Sequence, residues 1–406
     1  MIISFLDNYK QMKNTMLTLT AKTFAGLEEV LAGELSDLGA AHVKAGRRAV
    51  TFTGDHGLMM RANLWARTAL SILRHVNTFS FSGKDSFYEQ MRDTDWGACF
   101  DVDKTISVHA VATRSELFTN TMYLGQLTKD AVADHFRDRT GRRPDVDPQD
   151  AQIRINVYVY DQTCTVSLDS SGDALFRRGY RREAAIAPLN EILAAGLIRL
   201  SRWDGQSLFL DPMCGSGTFS VEAAMMASRM APGLLRKSFS FMHWKDYDPD
   251  GFASIREEAR QQQVPLRASI IASDVNIKAL DITRQNIMEA GFLGQIRVQR
   301  NDFFSYHPPA ENGWLLMNPP YGHRIKQDNI QGFYEQLGAT LKHHFPGYTA
   351  GVISQEINRL KHVGLKPKRK IRVFNGPLEC LFMVYELFRG PHREHVVQTR
   401  PRRPRL

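Results

Sequence analysis

Leu208-Phe-Leu-Asp211-Pro212-Met-Cys214-Gly215-Ser-Gly217-Thr218 runs from an apolar strand, through two glycines, into a helix predicted over 219–230. Glycine lets the backbone turn sharply and approach a ligand where a Cβ would clash. The helix that follows presents unpaired N–H groups at its start. The stretch lacks the G-x-G-x-x-G spacing of a dinucleotide turn and the Gly-Lys-Ser/Thr of a phosphate loop. Taken alone, it also fits a tight strand–helix connection that binds nothing. Outward from it, from Pro188 onward, short apolar runs alternate with helical patterns of about 10–15 residues, the signature of a doubly wound parallel sheet. Strands are predicted over 207–210, 269–272, 296–299, 314–317, 349–353, 371–374 and 381–387.

The second of these strands ends in Ser-Asp274-Val-Asn276. A carboxylate there suits bonding to ribose hydroxyls, yet it stands 63 residues after Asp211, against a usual step of about 20. Residues 231–267 therefore read as an insertion, turning at Pro232-Gly233 and at Asp248-Pro-Asp-Gly251. Asp274 is equally a preferred cap for a helix over 277–290. Asn301-Asp302 closes the third strand, where it can hydrogen-bond an adenine ring. Asn318-Pro319-Pro320-Tyr321 closes the fourth. Its prolines fix the backbone and remove donors, leaving a carbonyl free to accept. Asn318 adds a side-chain acceptor and Tyr321 a flat ring on which a base can stack. Two acceptors aimed at one –NH₂ group fix its orientation and favour a pyramidal nitrogen poised for in-line attack on a methyl group. A rigid Asn-Pro turn is the other reading of the tetrapeptide by itself.

The 406 residues carry 52 Lys and Arg against 43 Asp and Glu, a net charge of +9. That balance suits a polyanionic partner without requiring one. No uncharged run approaches the ~18–20 apolar residues of a membrane helix. Residues 1–6 have no basic start, so no signal peptide is predicted. Cys99, Cys164, Cys214 and Cys380 stand too far apart for a disulfide framework or a CxxC metal pair. A cytoplasmic, multi-domain chain without metal or membrane is the expectation. Before the sheet, strands over 17–21, 49–53 and 72–81 with helices over 26–38 and 56–66 make one α+β unit. A helix over 86–96, a strand over 105–111, a helix over 121–139 and a hairpin of 153–160 and 164–169 make a second. The linker that follows carries Phe176-Arg177-Arg178-Gly-Tyr180-Arg181-Arg182, whose arginines are candidates for RNA phosphate contact; a solvated face is the plainer alternative. Further basic clusters are Lys361, Lys366, Lys368, Arg369, Lys370 and Arg372, and the tail from Arg389, with six Arg against one Glu.

The motifs Asp211-Pro-Met-Cys-Gly-Ser-Gly-Thr, Ser-Asp274-Val-Asn, Asn301-Asp-Phe and Asn318-Pro-Pro-Tyr resemble those of S-adenosylmethionine-dependent amino-methyltransferases. Gly172…Leu175-Phe-Arg-Arg-Gly-Tyr-Arg, Ala187-Pro-Leu-Asn-Glu-Ile-Leu-Ala-Ala and Phe374-Asn-Gly-Pro-Leu-Glu-Cys narrow the resemblance to THUMP-containing RNA methyltransferases. The nearest-looking branch is the bacterial 23S rRNA guanine-N2 methyltransferases without a second fused methyltransferase domain. The resemblance covers about residues 16–390. It implies an α/β, Rossmann-like methyltransferase domain over 187–390, its seven-stranded sheet mostly parallel with an antiparallel last strand. Before it would come an extension over 1–15, a ferredoxin-like domain over 16–83, a THUMP RNA-binding domain over 84–170 and a basic linker over 171–186. A basic tail over 391–406 would follow. The implied cofactor is S-adenosylmethionine, held by Asp211, Pro212, Cys214, Gly215, Gly217 and Thr218 at its methionine end. Asp274 would hold the ribose, and Asn301 and Asp302 the adenine. Asn318, Pro319, Pro320 and Tyr321 would hold the target base, with no metal. The family's own insertion after its first helix accounts for the long step to Asp274. The implied partner is large-subunit rRNA or its assembly intermediate. Rivals are a tRNA guanine methyltransferase, a DNA adenine methyltransferase and an inactive RNA-binding assembly factor. The intact glycine turn and tetrapeptide argue against the last, and the RNA-binding-like first half argues against DNA.

Overall fold

The computed structural model describes residues 15–181, 189–320 and 330–389. In chain order they form β1 (Leu17–Lys22), α1 (Glu28–Asp37), β2 (Ala41–Gly46), β3 (Ala49–Gly54), α2 (His56–Trp65), β4 (Ser71–Ser80), α3 (Lys84–Asp93), β5 (Ile106–Thr113), α4 (Thr121–Thr140), β6 (Ile153–Tyr160) and β7 (Thr163–Asp169). There follow α5 (Glu191–Ser201), β8 (Phe209–Asp211), α6 (Thr218–Ala227), α7 (Pro249–Gln261), β9 (Ile270–Asp274), α8 (Ile277–Glu289), β10 (Ile296–Arg300), β11 (Gly313–Met317), α9 (Ile330–His344), β12 (Tyr348–Ser354), β13 (Arg369–Asn375) and β14 (Leu378–Glu386). Contacts divide the chain into two units. The first holds residues 15–23, 28–177 and 231–261; the second holds 24–27, 178–181, 189–230 and the described residues from 262 onward.

In the first unit, the two α+β segments share one sheet of order β2-β3-β1-β4-β7-β6-β5. The ten-residue β4 makes this possible: Ser71 to Arg74 pair with β1, and Leu73 to Ser80 pair with β7. All pairings are antiparallel except β5 with β6. The alternation read over 153–160 is realised in β6, which buries Ile153, Ile155, Val157 and Val159 and leaves Tyr158 and Tyr160 exposed. Strand β2 escaped the sequence reading. Its six residues, Ala-His-Val-Lys-Ala-Gly, are mostly exposed at the sheet edge and interrupted by a bulge, so no apolar alternation marks them.

The insertion 231–261 belongs to this first unit. Its Phe239, Phe241, Trp244 and Phe252 share one core with Leu19, Phe52, Phe87, Trp96 and Phe100. Asp246 accepts from His56 Nε2 at 3.0 Å and from Arg74, whose guanidinium lies 4.1 Å from the Trp244 ring centre. Arg236 donates to the carbonyls of Ser171, Asp173, Ala174 and Arg177 at 2.8–3.0 Å. The expected turn at 248–251 is instead the start of α7. Asp248 Oδ1 accepts from Gly251 N at 3.0 Å and Pro249 takes the first helical position, a place that suits its missing N–H.

In the second unit the sheet order is β10-β9-β8-β11-β12-β14-β13. Strands β8 to β12 pair in parallel, and β14 runs antiparallel to both β12 and β13. The Rossmann-like sheet with an antiparallel last strand is thus present. Its order reverses across β8 and β11, so a crevice opens beyond the carboxyl ends of the central strands. No helix among the described residues is long and apolar enough to cross a membrane.

Candidate active site

That crevice is a cleft of about 730 Å³, lined by residues leaving β8, β9, β10 and β11. The glycine turn forms its floor. Gly215 and Gly217 adopt φ of +54° and +76°. A Cβ on Gly217 would stand 2.8 Å from Thr283 Cγ2, whereas one on Gly215 would meet only open space. The turn is clamped from α8. Thr283 Oγ1 donates to the Gly215 carbonyl at 2.8 Å, and Asn286 Nδ2 donates to the Ser216 carbonyl at 2.9 Å. Sequence reasoning missed both clamps. Their signal was the pairing of two polar side chains on the buried face of an otherwise amphipathic helix.

Asp211 is buried, and its Oδ2 accepts from Ser220 N at 3.2 Å and Ser220 Oγ at 2.8 Å. Burial pushes its carboxyl up to about 7, the Ser220 bonds work against that, and the Asp274 charge adds to it. Asp274 Oδ2 accepts from Gly215 N at 3.0 Å and Oδ1 from Asn276 N at 2.9 Å. It therefore ties the glycine turn to β9. The cap of α8 is Asn276, whose side chain accepts from Lys278 N, so the capping alternative for Asp274 falls away. Asp302 Oδ1 accepts from Phe304 N at 3.0 Å, and Asn301 N donates to the Asp274 carbonyl at 3.2 Å.

Pro212, Cys214, Gly215, Thr218, Asp274, Asn301, Asp302, Asn318, Pro319 and Pro320 all line the one cleft, as does Asp211. Gly217 sits behind it as the helix cap. Tyr321 lies outside the described residues. Burial raises the Cys214 thiol well above its usual value, so it stays protonated rather than nucleophilic. Phe304 and Phe333 form an unforeseen aromatic wall, their ring centres 5.4 Å apart. Among the described lining residues, Asp211, Asp274 and Asp302 stand with one ammonium, Lys278. That polarity suits a cationic nucleoside cofactor better than a diphosphate. The open space at Gly215 and the acceptors at successive strand ends fit S-adenosylmethionine.

The linker arginines divide. Arg178 and Glu222 form a buried pair, Nε to Oε1 3.3 Å, with side chains 2% and 0% exposed. Arg181 donates through Nη2 to Thr218 Oγ1 at 2.6 Å and stands 3.1 Å from Glu191. Arg178 is tied to the middle of α6 and Arg181 to the first residues of α5 and α6, so both charges are engaged within the fold and not offered to a phosphate, against the expectation drawn from their clustering. Arg177 is 67% exposed and 3.6 Å from Asp173. Arg182 lies outside the described residues, as do residues 1–14 and the tail from 390.

Fold and cleft define an S-adenosylmethionine-dependent methyltransferase. The chain belongs to the RMKL-like methyltransferase family, whose model matches residues 178–383; the RlmL ferredoxin-like domain matches 18–73 and the THUMP domain 82–169. A Synechocystis protein named as a candidate RNA methyltransferase is 35% identical over 365 residues, covering 89% of this chain and 95% of that one. The ribosomal RNA large subunit methyltransferase K/L of Methylococcus capsulatus is 36% identical over 371 residues, covering 89% of this chain. The chain spans only 50% of that relative's length. The solved structure of SMU.472, a candidate methyltransferase crystallised with S-adenosylhomocysteine, superposes with a TM-score of 0.83 at 27% identity, covering 93% of this chain and 99% of that one.

Proposed function

We propose that this chain is an RNA methyltransferase that transfers the methyl group of S-adenosylmethionine to the exocyclic amine of a guanine, forming N2-methylguanine in large-subunit rRNA. The observation that carries the reading is that Asn318 and the carboxylates Asp211, Asp274 and Asp302 line one cleft at the carboxyl ends of adjacent strands. The names of the relatives and the THUMP match support RNA as substrate. The guanine amine rests on the motif resemblance.

When bound, the cofactor supplies an electrophilic methyl on a sulfonium. Asp274 would accept from the ribose hydroxyls, and Asp302 and Asn301 would hold the adenine. Asn318 and the carbonyl beside Pro319 accept both N–H bonds of the target amine and turn its nitrogen toward the methyl. No general base is assigned, because the methylated amine is strongly acidic and releases its proton afterwards. Asn318→Ala should lower the rate of methyl transfer a hundredfold or more while calorimetry finds cofactor affinity within about twofold of the parent. Undiminished turnover in that variant would remove the amine-orienting role and the amino-methyltransferase assignment with it.

A further inference from the structure

Along β11 the wall of the cofactor cleft runs out through Asn318, Pro319 and Pro320. The neighbouring strand β12 ends at Ser354, and Gln355-Glu356 follows. The two strands pair in parallel up to Met317 and Val352. Three residues further along each chain stand Pro320 and Gln355, so Gln355 lies one strand over from the tetrapeptide at the same end of the sheet. Helix α9 closes the corner. Phe333 lines the cleft, and the next residue, Tyr334, meets Ser354 hydroxyl to hydroxyl at 2.6 Å. We propose that Gln355 and Glu356 select the target base, Gln355 by donating to O6 of a guanine and Glu356 by accepting from its N1–H. The inference rests on the guanine methyltransferase reading and deepens it.

The backbone of this corner is already tied. Glu356 N donates to Ser354 Oγ at 2.9 Å, Ile357 N to the Gln355 carbonyl at 2.8 Å and Arg359 N to the Glu356 carbonyl at 2.8 Å. The two side chains are not tied. Among the described residues, the buried Gln355 Nε2 has no hydrogen-bond acceptor, and the half-buried Glu356 carboxylate has no ion-pair partner. Burial lifts the Tyr334 phenol to about 12, and the Glu356 carboxylate beside it adds to the rise. A buried donor without an acceptor costs about 1–3 kcal/mol, so the fold alone gives no reason for the amide, whereas a ligand that brings an acceptor does. A base taken out of its stack is read along its Watson–Crick edge. On guanine that edge carries the amine, then N1–H, then O6. With the amine held on Asn318, the span from amine to O6 is close to the ~4.8 Å between adjacent strands. Adenine held by its own amine would instead bring a bare N1 against the carboxylate and no O6 to the amide. Attraction for one base and repulsion of the other then act together.

The test first locates the guanine that the full chain labels in unmodified large-subunit rRNA. That rRNA is then rebuilt by splinted ligation with 2-aminopurine at the same position, which keeps the amine and lacks O6 and the N1 proton. The parent should favour guanine by about a hundredfold or more in kcat/KM. Gln355→Leu combined with Glu356→Ala should lower kcat/KM on guanine roughly a hundredfold and shrink the preference to a few-fold. Glu356→Gln alone should retain part of the preference, because a carboxamide oxygen still accepts from N1–H. Melting temperature and cofactor affinity should stay at the parent values, since neither side chain has a partner to lose in the RNA-free protein. A merely structural role would lower the melting temperature and slow both substrates alike. A folded double variant that keeps the parent's preference, or a parent that shows none, would overturn the selection and leave guanine methylation standing. A parent that labels no guanine in rRNA would overturn both.

Discussion

Burial holds the Asp211 carboxyl at about 7, against an ordinary value of 3.8. A carboxyl raised on folding contributes stability below its unfolded value, and loses it as pH climbs through the folded one. Asp211 should therefore favour the ligand-free fold at acid pH and weaken it toward pH 7. The resemblance puts the cofactor's methionine end at Asp211, where a sulfonium and an ammonium would reverse the preference by favouring the ionised form. Cofactor binding near pH 6 should release a proton from Asp211, and affinity should rise with pH up to about 7. Calorimetry in buffers of different ionisation enthalpy reads this directly, and Asp211→Asn should abolish that proton release. A release that persists in the variant would place the cofactor's charge elsewhere. The linker offers a second residue-scale contrast. Removing Arg178 takes the ion-pair partner from the buried Glu222, which costs about 3–5 kcal/mol. Arg177→Ala, on an exposed side chain, should stay within about 0.5 kcal/mol of the parent. Equal urea midpoints for the two variants would contradict the buried pair. Both arginines look alike in the sequence, because Arg-Arg repeats do not record which partner lies across the fold.

At the scale of elements, the parallel sheet and its cleft were legible because β8, β9 and β11 are short apolar runs that end in polar motifs, with the edge strand β10 (Ile-Arg-Val-Gln-Arg) the more polar exception. Asp211, Asp274, Asp302 and Asn318 each stand at or just after a strand end. Thr283 and Asn286 could be marked as polar residues on the apolar face of α8, but what they clamp depends on which turn α8 packs against. The resemblance did join Phe374-Asn-Gly-Pro to Ala187-Pro-Leu-Asn, and the fold gives a reason: Asn375 Oδ1 accepts from Asn190 N at 3.2 Å, where Asn190 caps α5. The insertion was visible as excess length, but its allegiance was not. Phe239, Phe241, Trp244 and Phe252 are apolar wherever they pack, and only three-dimensional structure assigns them to the core of the first unit. A fragment beginning near residue 186 would keep the insertion and lose that core. It should expose a large aromatic surface, bind a hydrophobic dye and aggregate. A monomeric fragment with a cooperative melt would contradict the packing described here.

At the scale of the whole molecule, a single sheet joins the ferredoxin-like and THUMP segments, and a chain that leaves and re-enters the second unit carries the methyltransferase cleft. The net charge of +9 is consistent with a nucleic-acid substrate. The central claim is that this assembly methylates a guanine amine in large-subunit rRNA. The most direct measurement supplies the full chain with radiolabelled S-adenosylmethionine and unmodified rRNA, tRNA and DNA in parallel, then digests each acceptor to nucleosides. The account predicts label in N2-methylguanosine from large-subunit rRNA; label in N6-methyladenine of DNA, or none in any RNA, would contradict it.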